Sequence, residues 1–212
     1  MNGARVSAVL LAAGSSSRMG GTNKLLLPYG GRTLIEHMAD VLLASRLAEV
    51  VVVLGHEAVK VRTRLEGRAL TLVEHPHYAE GMGSSLRAGL RRVSPHAEAI
   101  MVCLTDQPLL EPGDIDRLIG AFGQAKGQDI VVPIHRDQRG NPVLFSARYL
   151  DEVLATRGPV AGCKGIVQRN PGAVQEVEMP NDHILRDIDT PEDYRALMER
   201  LPANQGQPGT TA

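Results

Sequence analysis

The segment from Leu11 to Lys24 combines small residues with two cations in an order that suits phosphate binding. It follows residues 6–11, an apolar run that predicts a buried strand. The small residues 14–16 would then let backbone N–H groups come close to an anion. Arg18 and Lys24 add two positive charges. A strand, a Gly/Ser loop and two spaced cations predict a polyphosphate-binding loop.

This loop matches neither of the common phosphate-binding patterns. Counted from Gly14, a P-loop would place its second glycine at Met19 and its lysine at Gly20. Lys24 comes later and is followed by Leu25 rather than by Ser or Thr. The two serines after Gly14 break the Gly-x-Gly-x-x-Gly pattern of dinucleotide-binding loops. From the loop alone, a polar turn with incidental charges remains open as the alternative.

Acidic residues at two other places in the chain could bind a metal. Asp106 comes after the apolar run 100–104, and Asp187 and Asp189 lie on either side of Ile188. In a strand, this alternation would put both of the latter carboxylates on one face, where they repel unless a cation lies between them. Mg²⁺ prefers one or two carboxylates together with phosphate oxygens. For Asp106 the alternative is an Asx turn at the end of a strand.

A glycine-rich turn at Gly81 leads into a helical pattern that extends to Leu90. The N–H groups in the first turn of a helix have no acceptor within the helix, so they can bind a ligand. Ser84 and Ser85 are the polar candidates in this turn. The alternative for either serine is an ordinary helix N-cap.

Apolar runs that predict strands alternate with helical periods. The strand runs are residues 6–11, 50–54, 70–73, 100–104 and 130–133, and the helical periods lie within residues 34–42, 86–93 and 115–122. This βαβα order predicts a mostly parallel sheet covered on both faces, with ligands at the carboxyl ends of its strands. The phosphate-binding loop and Asp106 should therefore share one crevice. Thr190, Pro191 and Asp193 predict the start of a last helix.

Composition narrows the classes of function. The chain has 212 residues, a net charge of −1 and only 3% aromatic residues without Trp, which argues against nucleic-acid binding. It contains no apolar run long enough for a membrane span, and we expect no membrane partner. Two cysteines favour a reducing compartment, so we expect the cytoplasm. We expect one domain over residues 1–201 and a disordered tail over residues 202–212.

Five segments resemble, in order, the motifs of nucleotidyltransferases of the molybdenum cofactor cytidylyltransferase type, which are related to the molybdenum cofactor guanylyltransferases. These segments are residues 11–24, 81–90, 105–108, 140–145 and 187–194. Together they extend over nearly the whole chain. The resemblance implies an α/β fold, namely the three-layer α/β/α Rossmann-like nucleotide-diphospho-sugar transferase fold with a mostly parallel sheet.

The resemblance also implies a reaction. A cytidylyl group would pass from CTP to a phosphate-bearing acceptor, molybdenum-bound molybdopterin in the first instance, with release of pyrophosphate. Mg²⁺ would be the cofactor, and a molybdenum enzyme that receives the product would be a further partner. Ala12 and Ala13 favour CTP, because the guanylyltransferases usually carry Leu-x-Gly-Gly at this point.

Individual roles follow from the same resemblance. Arg18, Lys24 and Asp106 would be catalytic, and Asp106 with Asp189 would hold the metal. The implied nucleotide contacts are Leu11, Ala12, Ala13, Gly14, Ser15, Ser16, Arg18, Lys24, Gly81, Ser84 and Ser85. The implied acceptor contacts are Asn141 and Asp187. For Asn141 the alternative is a turn that leads into an edge strand.

One segment departs from the family pattern and keeps other functions open. Many relatives carry Gly-Asp-x-Gly-Ala-Arg where residues 158–165 of this chain lack the aspartate. Within this segment, Lys164 could lower the pKa of Cys163, or Cys163 could be a small residue in a packed turn. The alternative functions are a guanylyl or sugar-phosphate nucleotidyltransferase, a nicotinamide-dependent oxidoreductase, and a non-catalytic molybdopterin-binding accessory protein.

Overall fold

Apolar segments form the strands of a mixed sheet in this computed structural model, which describes residues 4–124, 127–156 and 163–200. The strands are β1 (Val6–Ala12), β2 (Pro28–Tyr29), β3 (Arg32–Thr33), β4 (Glu49–Leu54), β5 (Thr71–Glu74), β6 (Ala99–Leu104), β7 (Ile130–His135), β8 (Gln138–Arg139), β9 (Val143–Ser146) and β10 (Val174–Glu178). The order in the main sheet is β10-β7-β9-β6-β1-β4-β5, with β8 paired to β7. The expected tail at residues 202–212 lies outside the described residues.

The centre of the sheet is parallel. β1 pairs in parallel with β4 on one side and with β6 on the other, and the pairs β4–β5 and β7–β10 are also parallel. Every residue of β1 is buried, as expected for a strand that is covered on both faces. Only β8 and β9 among these strands run antiparallel to their neighbours in the main sheet. The mostly parallel sheet predicted from the sequence is therefore confirmed.

Helices cover both faces of the sheet. They are α1 (Leu34–Leu43), α2 (Ala58–Leu65), α3 (Met82–Leu90), α4 (Pro112–Ala121), α5 (Leu150–Ala155), α6 (Cys163–Arg169) and α7 (Pro191–Met198). Helices α1, α2 and α4 pack on the face that carries Leu10, and α3, α5 and α6 pack on the face that carries Val9 and Leu11. This is the predicted α/β/α arrangement. No helix in the described part of the chain has the length and apolar character needed to cross a membrane.

The strands predicted from the sequence correspond to β1, β4, β5, β6 and β7, with ends that differ by one or two residues. The structure also decides two points that the sequence left open. The residues after Asn141 form β9, which lies between β6 and β7 and is not an edge strand. Residues 187–189 do not form a strand, because they run from the short 3-10 turn His183–Leu185 to α7 without joining a sheet. The separation of their carboxylates must therefore be set by other contacts.

Helix α3 packs unusually close to the sheet at Gly89. A Cβ atom at this position would lie 2.5 Å from Cγ1 of Val9 and 2.7 Å from Cγ2 of Val53. Contacts this short cannot form without a shift of the helix or of the valine side chains. The absence of a side chain at Gly89 therefore sets how closely α3 lies against β1 and β4.

We expect Gly89→Ala to lower the free energy of unfolding by about 1–3 kcal/mol, because overpacking strains a filled core. Gly120→Ala in α4 is the matched control, since its nearest neighbour, Nη2 of Arg46, would be 3.5 Å away. That variant should gain about 0.5–1 kcal/mol from helix propensity. Urea denaturation measures both changes, and equal stability of the two variants would contradict the close approach of α3.

Candidate active site

A cavity of about 650 Å³ opens at the carboxyl ends of β1 and β6. Its walls come from the loop after β1, the turn before α3 and the segment after β6, together with Asp189 from the chain before α7. This volume lies within the range of about 300–1,000 Å³ that is usual for small-molecule pockets. The predicted phosphate-binding loop and Asp106 do share one crevice, which we call the cleft.

Short polar contacts fix the loop after β1. Ser16 adopts the left-handed conformation with φ 52°, which is uncommon for a residue with a side chain. Its Oγ accepts a hydrogen bond from the backbone N–H of Lys24 at 3.0 Å. Asn23 Oδ1 accepts a bond from the N–H of Leu25 at 3.1 Å and so caps the short turn Lys24–Leu26. Together these bonds set the point at which the Lys24 side chain enters the cleft.

Two cations meet two carboxylates inside the cleft. Lys24 Nζ lies 2.9 Å from Asp106 Oδ2 and 3.4 Å from Asp189 Oδ1, and it also donates to the carbonyl of Ile188 at 3.1 Å. Arg18 Nη1 lies 2.8 Å from the other carboxylate oxygen of Asp189. The Lys24 side chain is 15% exposed and that of Arg18 is 69% exposed. The lysine is therefore held within this ion cluster, whereas the arginine reaches it from the solvent side.

One oxygen of Asp106 is left without a donor. Its Oδ1 is buried and makes no hydrogen bond to the described residues, a costly arrangement that a divalent cation would relieve. In the described ranges, no group of three or more His, Cys, Asp or Glu side chains is placed to hold a metal ion. With two carboxylates in the cleft, Asp106 and Asp189, a divalent cation such as Mg²⁺ would have to take further ligands from phosphate oxygens.

The alternation of side chains along β1 decides which of the predicted nucleotide contacts reach the cleft. Leu11 and Ala13 line the cleft, as do Gly14, Ser15 and residue 16 of the loop that follows. Successive side chains of a strand point to opposite faces, and the side chain of Ala12 is packed in the core. A nucleotide contact of Ala12 would therefore have to come from its backbone and stays a prediction.

The turn at Gly81 separates the two candidate serines. Gly81 has φ 102°, a conformation that glycine adopts without strain, and it leads directly into α3. Ser85 lines the cleft. Ser84 Oγ instead lies 2.6 Å from His75 Nε2 and donates to the carbonyl of His77 at 3.3 Å. The Ser84 side chain is therefore engaged away from the cleft, and a nucleotide contact of this residue, which would have to come from its backbone, stays a prediction.

Tyr78 and Met82 also line the cleft, although the sequence analysis did not select them. The Met82 side chain is 65% exposed. Tyr78 lies so close to Gly55 that a Cβ atom there would be 2.7 Å from the Cβ of Tyr78. These two residues give the cleft an apolar wall beside Ser85. In the sequence, the feature that could have indicated this role is their position on either side of Gly81.

Asn141 and Asp187, the two expected acceptor contacts, do not line the cleft, and their contact with an acceptor stays a prediction. The backbone N–H of Asn141 donates to the carbonyl of Ile184 at 3.2 Å. Asp187 Oδ1 accepts a bond from Gln107 Nε2 at 2.9 Å, and Asp187 lines a separate pocket of about 110 Å³. Burial, with a smaller effect from the charge of Asp106, raises the pKa of Asp187. Both residues support the chain segment that precedes Asp189.

Cys163 is the first residue of α6, and residues 158–162 of the divergent segment lie outside the described residues. Burial raises the pKa of the Cys163 thiol to about 12. A lowered pKa next to Lys164 is therefore wrong, and the alternative of a packed small residue agrees with the structure.

The fold and the cleft together define a nucleotidyltransferase-like α/β domain, and comparison with known proteins identifies its family. Residues 8–174 match the family described as the MobA-like NTP transferase domain. Because this match includes most of the sequence, the chain belongs to that family.

Individual relatives carry different names. The chain is 34% identical over 199 residues to nicotine blue oxidoreductase of Paenarthrobacter nicotinovorans, which covers 91% of this chain and 96% of the relative. It is 26% identical over 196 residues to the molybdenum cofactor cytidylyltransferase of Escherichia coli strain K12, and the matched region covers 92% of this chain and 96% of the relative. The relatives therefore share the family while their names point to different reactions.

Solved structures agree with the fold. The crystal structure of Rv0371c from Mycobacterium tuberculosis H37Rv has a TM-score of 0.80 at 31% identity and covers 93% of this chain and 100% of its own. A manganese complex of Rv0371c matches with a TM-score of 0.74 at 29% identity, with 93% and 100% covered. The predicted three-layer nucleotidyltransferase fold is therefore confirmed.

We expect Lys24→Met to lower the free energy of unfolding of the ligand-free protein by about 1–3 kcal/mol, because Asp106 and Asp189 lose their shared partner. Mn²⁺ should then raise the Tm of Lys24→Met by more than that of the wild type, since the cation no longer competes with the lysine. Thermal unfolding with and without Mn²⁺ measures both effects. The control is Lys60→Met, which removes an exposed pair with Glu57. Equal Mn²⁺ shifts in Lys24→Met and the wild type would argue against a cation site between the carboxylates.

Proposed function

We propose that this chain transfers a cytidylyl group from CTP to the phosphate of a molybdopterin-type acceptor. The observation that carries the proposal is the meeting of Arg18 and Lys24 with Asp106 and Asp189 in one cleft. Cations suit a triphosphate, and the carboxylates suit the divalent cation that accompanies it. Membership of the MobA-like NTP transferase family supports the reaction type.

The proposed reaction exchanges one phosphate bond for another. An oxygen of the acceptor phosphate attacks the α-phosphorus of CTP in line, and the bond from that phosphorus to the oxygen of pyrophosphate breaks. Arg18 and Lys24 release the carboxylates and neutralise the charge that develops on the departing pyrophosphate. When bound by Asp106 and Asp189, Mg²⁺ would supply charge neutralisation and orient phosphate oxygens. The acceptor phosphate is already ionised, so the reaction needs no side-chain base.

The choice of CTP rests on a sequence pattern and on the name of one relative. The Ala-Ala pair at residues 12–13 stands where guanylyltransferases usually carry two glycines, and the E. coli relative is named as a cytidylyltransferase. We place the base against the wall formed by Tyr78, Met82 and Ser85. Net charge and the two unpaired cysteines agree with a small-molecule acceptor in the cytoplasm, from which a molybdenum enzyme would take the product.

Calorimetric titration with CTP, GTP, ATP and UTP, each with and without Mg²⁺, tests the proposal. We expect CTP to bind selectively and only with Mg²⁺, and we expect Asp106→Asn to abolish this binding because the metal loses its main carboxylate. The control is Asp116→Asn, which removes a surface pair with Arg46. Selective GTP binding would move the chain to the guanylyl branch of the reaction, and Mg²⁺-independent binding would exclude the proposed metal role.

The similarity to nicotine blue oxidoreductase favours one alternative function. A nicotinamide dinucleotide also carries a pyrophosphate that Arg18 and Lys24 could bind, and its reduction of an aromatic heterocycle needs no divalent cation. Asp106 Oδ1 accepts no hydrogen bond from the described residues, which argues for the metal-dependent reaction instead. Titration with NADPH under the same conditions separates the two functions. Binding of NADPH alone, unaffected by Mg²⁺ and by Asp106→Asn, would replace the cytidylyltransferase proposal.

A further inference from the structure

Gln107 is a buried amide that follows Asp106 directly but does not line the cleft. Gln107 is only 1% exposed. Nε2 donates to the carbonyl of Ile184 at 2.8 Å and to Asp187 Oδ1 at 2.9 Å. Both amide hydrogens are thus used on the segment that leads to Asp189. Within the described residues, no other side chain donates a hydrogen bond to the carbonyl of Ile184 or to Asp187 Oδ1.

Backbone contacts complete the attachment of this segment, which we define as residues 184–188. The N–H of Ile188 donates to the carbonyl of Asp106 at 2.7 Å, and the N–H of Asn141 donates to the carbonyl of Ile184 at 3.2 Å. Gly140 permits this approach, because a Cβ atom there would lie 2.3 Å from the same carbonyl. Residues 184–188 are therefore held against the turn that carries Asp106.

We propose that Gln107 is a positioning residue that sets the distance between Asp106 and Asp189, and hence the metal-binding geometry. Asp189 follows residues 184–188 without a strand to fix it. On its C-terminal side its N–H donates to Asp193 Oδ2 at 3.0 Å, and on its N-terminal side its position depends on the bonds to residues 184–188. Asp187 acts in the same network as the acceptor of one amide hydrogen and does not contact the ligand. This inference deepens the proposed function and rests on its metal site.

The energetic argument favours a positional role. Without the Gln107 amide, the buried carbonyl of Ile184 keeps the hydrogen bond from the N–H of Asn141, and the carboxylate of Asp187 loses its bond from Gln107. Loss of donors to buried acceptors costs free energy. The segment would relieve this cost by moving toward solvent. Residues that orient a metal ligand through hydrogen bonds typically change metal affinity by about 10- to 100-fold when they are replaced.

Gln107→Met tests the inference with a side chain of similar size and no donor. Hydrogen exchange of the Ile188 amide reports the attachment of residues 184–188 without any ligand, and we expect it to accelerate at least about 10-fold. Electron paramagnetic resonance of Mn²⁺ with CTP reports the metal, and we expect affinity to fall by about 10- to 100-fold. Gln175→Met in β10 is the matched control, because the Oε1 atoms of Gln107 and Gln175 are both buried and neither has a hydrogen-bond partner among the described residues.

Substitutions of Asp187 distinguish positioning from direct contact. Asp187→Asn keeps an acceptor for Gln107 and should retain slow exchange at Ile188. Asp187→Ala removes the acceptor and should accelerate exchange, though less than Gln107→Met, because the bond to Ile184 remains. Equal acceleration in both Asp187 variants would overturn the proposed network. Because this comparison uses only the two Asp187 variants, it still tests the network if Gln107→Met does not fold.

The two readouts separate failure of this inference from failure of the proposed function. If the wild type binds Mn²⁺ with CTP and Gln107→Met binds it equally well, the positioning role is wrong. Unchanged exchange at Ile188 in Gln107→Met also overturns it, whatever the ligand. If the wild type binds no Mn²⁺ with CTP, the metal site of the proposed function fails, and the part of the inference that concerns metal geometry fails with it. A lower kcat in Gln107→Met that excess Mg²⁺ partly restores would support the positioning role of Gln107. Gln175→Met should show no such effect.

Discussion

The ion cluster of Lys24, Arg18, Asp106 and Asp189 is the interaction on which the arrangement of the cleft depends. Two positive and two negative charges lie at one end of the sheet, and each pair of like charges is tolerable only because the other pair is present. The parallel pairing of β1 with β6 brings the loop and Asp106 to the same edge. The sheet therefore serves as the support that lets chain segments far apart in sequence meet.

The start of α7 fixes the most distant member of this cluster. Thr190 accepts a hydrogen bond from the N–H of Asp193, and Asp193 accepts bonds from the N–H groups of Thr190 and Asp189. This capping box satisfies amides that would otherwise be unpaired at the helix start. Because one of those amides belongs to Asp189, a feature that stabilises the helix also constrains a candidate metal ligand.

Much of the fold and part of the cleft could be predicted from the sequence, because they depend on local patterns. Strand β1 is apolar except for Ser7, and the cap of α7 is encoded within Thr190–Asp193, so both predictions were confirmed. The central place of β9 could not be predicted, because its four residues carry no information about which strands it joins. The same limit applies to Asp187, whose partner Gln107 is 80 residues away. Contacts of that kind depend on topology rather than on spacing along the chain.

The closed ion cluster also bears on how a ligand would leave the cleft in the proposed reaction. Departure of a cation and its bound anion would uncover two carboxylates and two cationic side chains that can pair with each other. These four side chains would then compete with both parts of the ligand, and because each is tethered to the chain its effective concentration is high. This competition would oppose rebinding after a first separation and so favour release of a highly charged product.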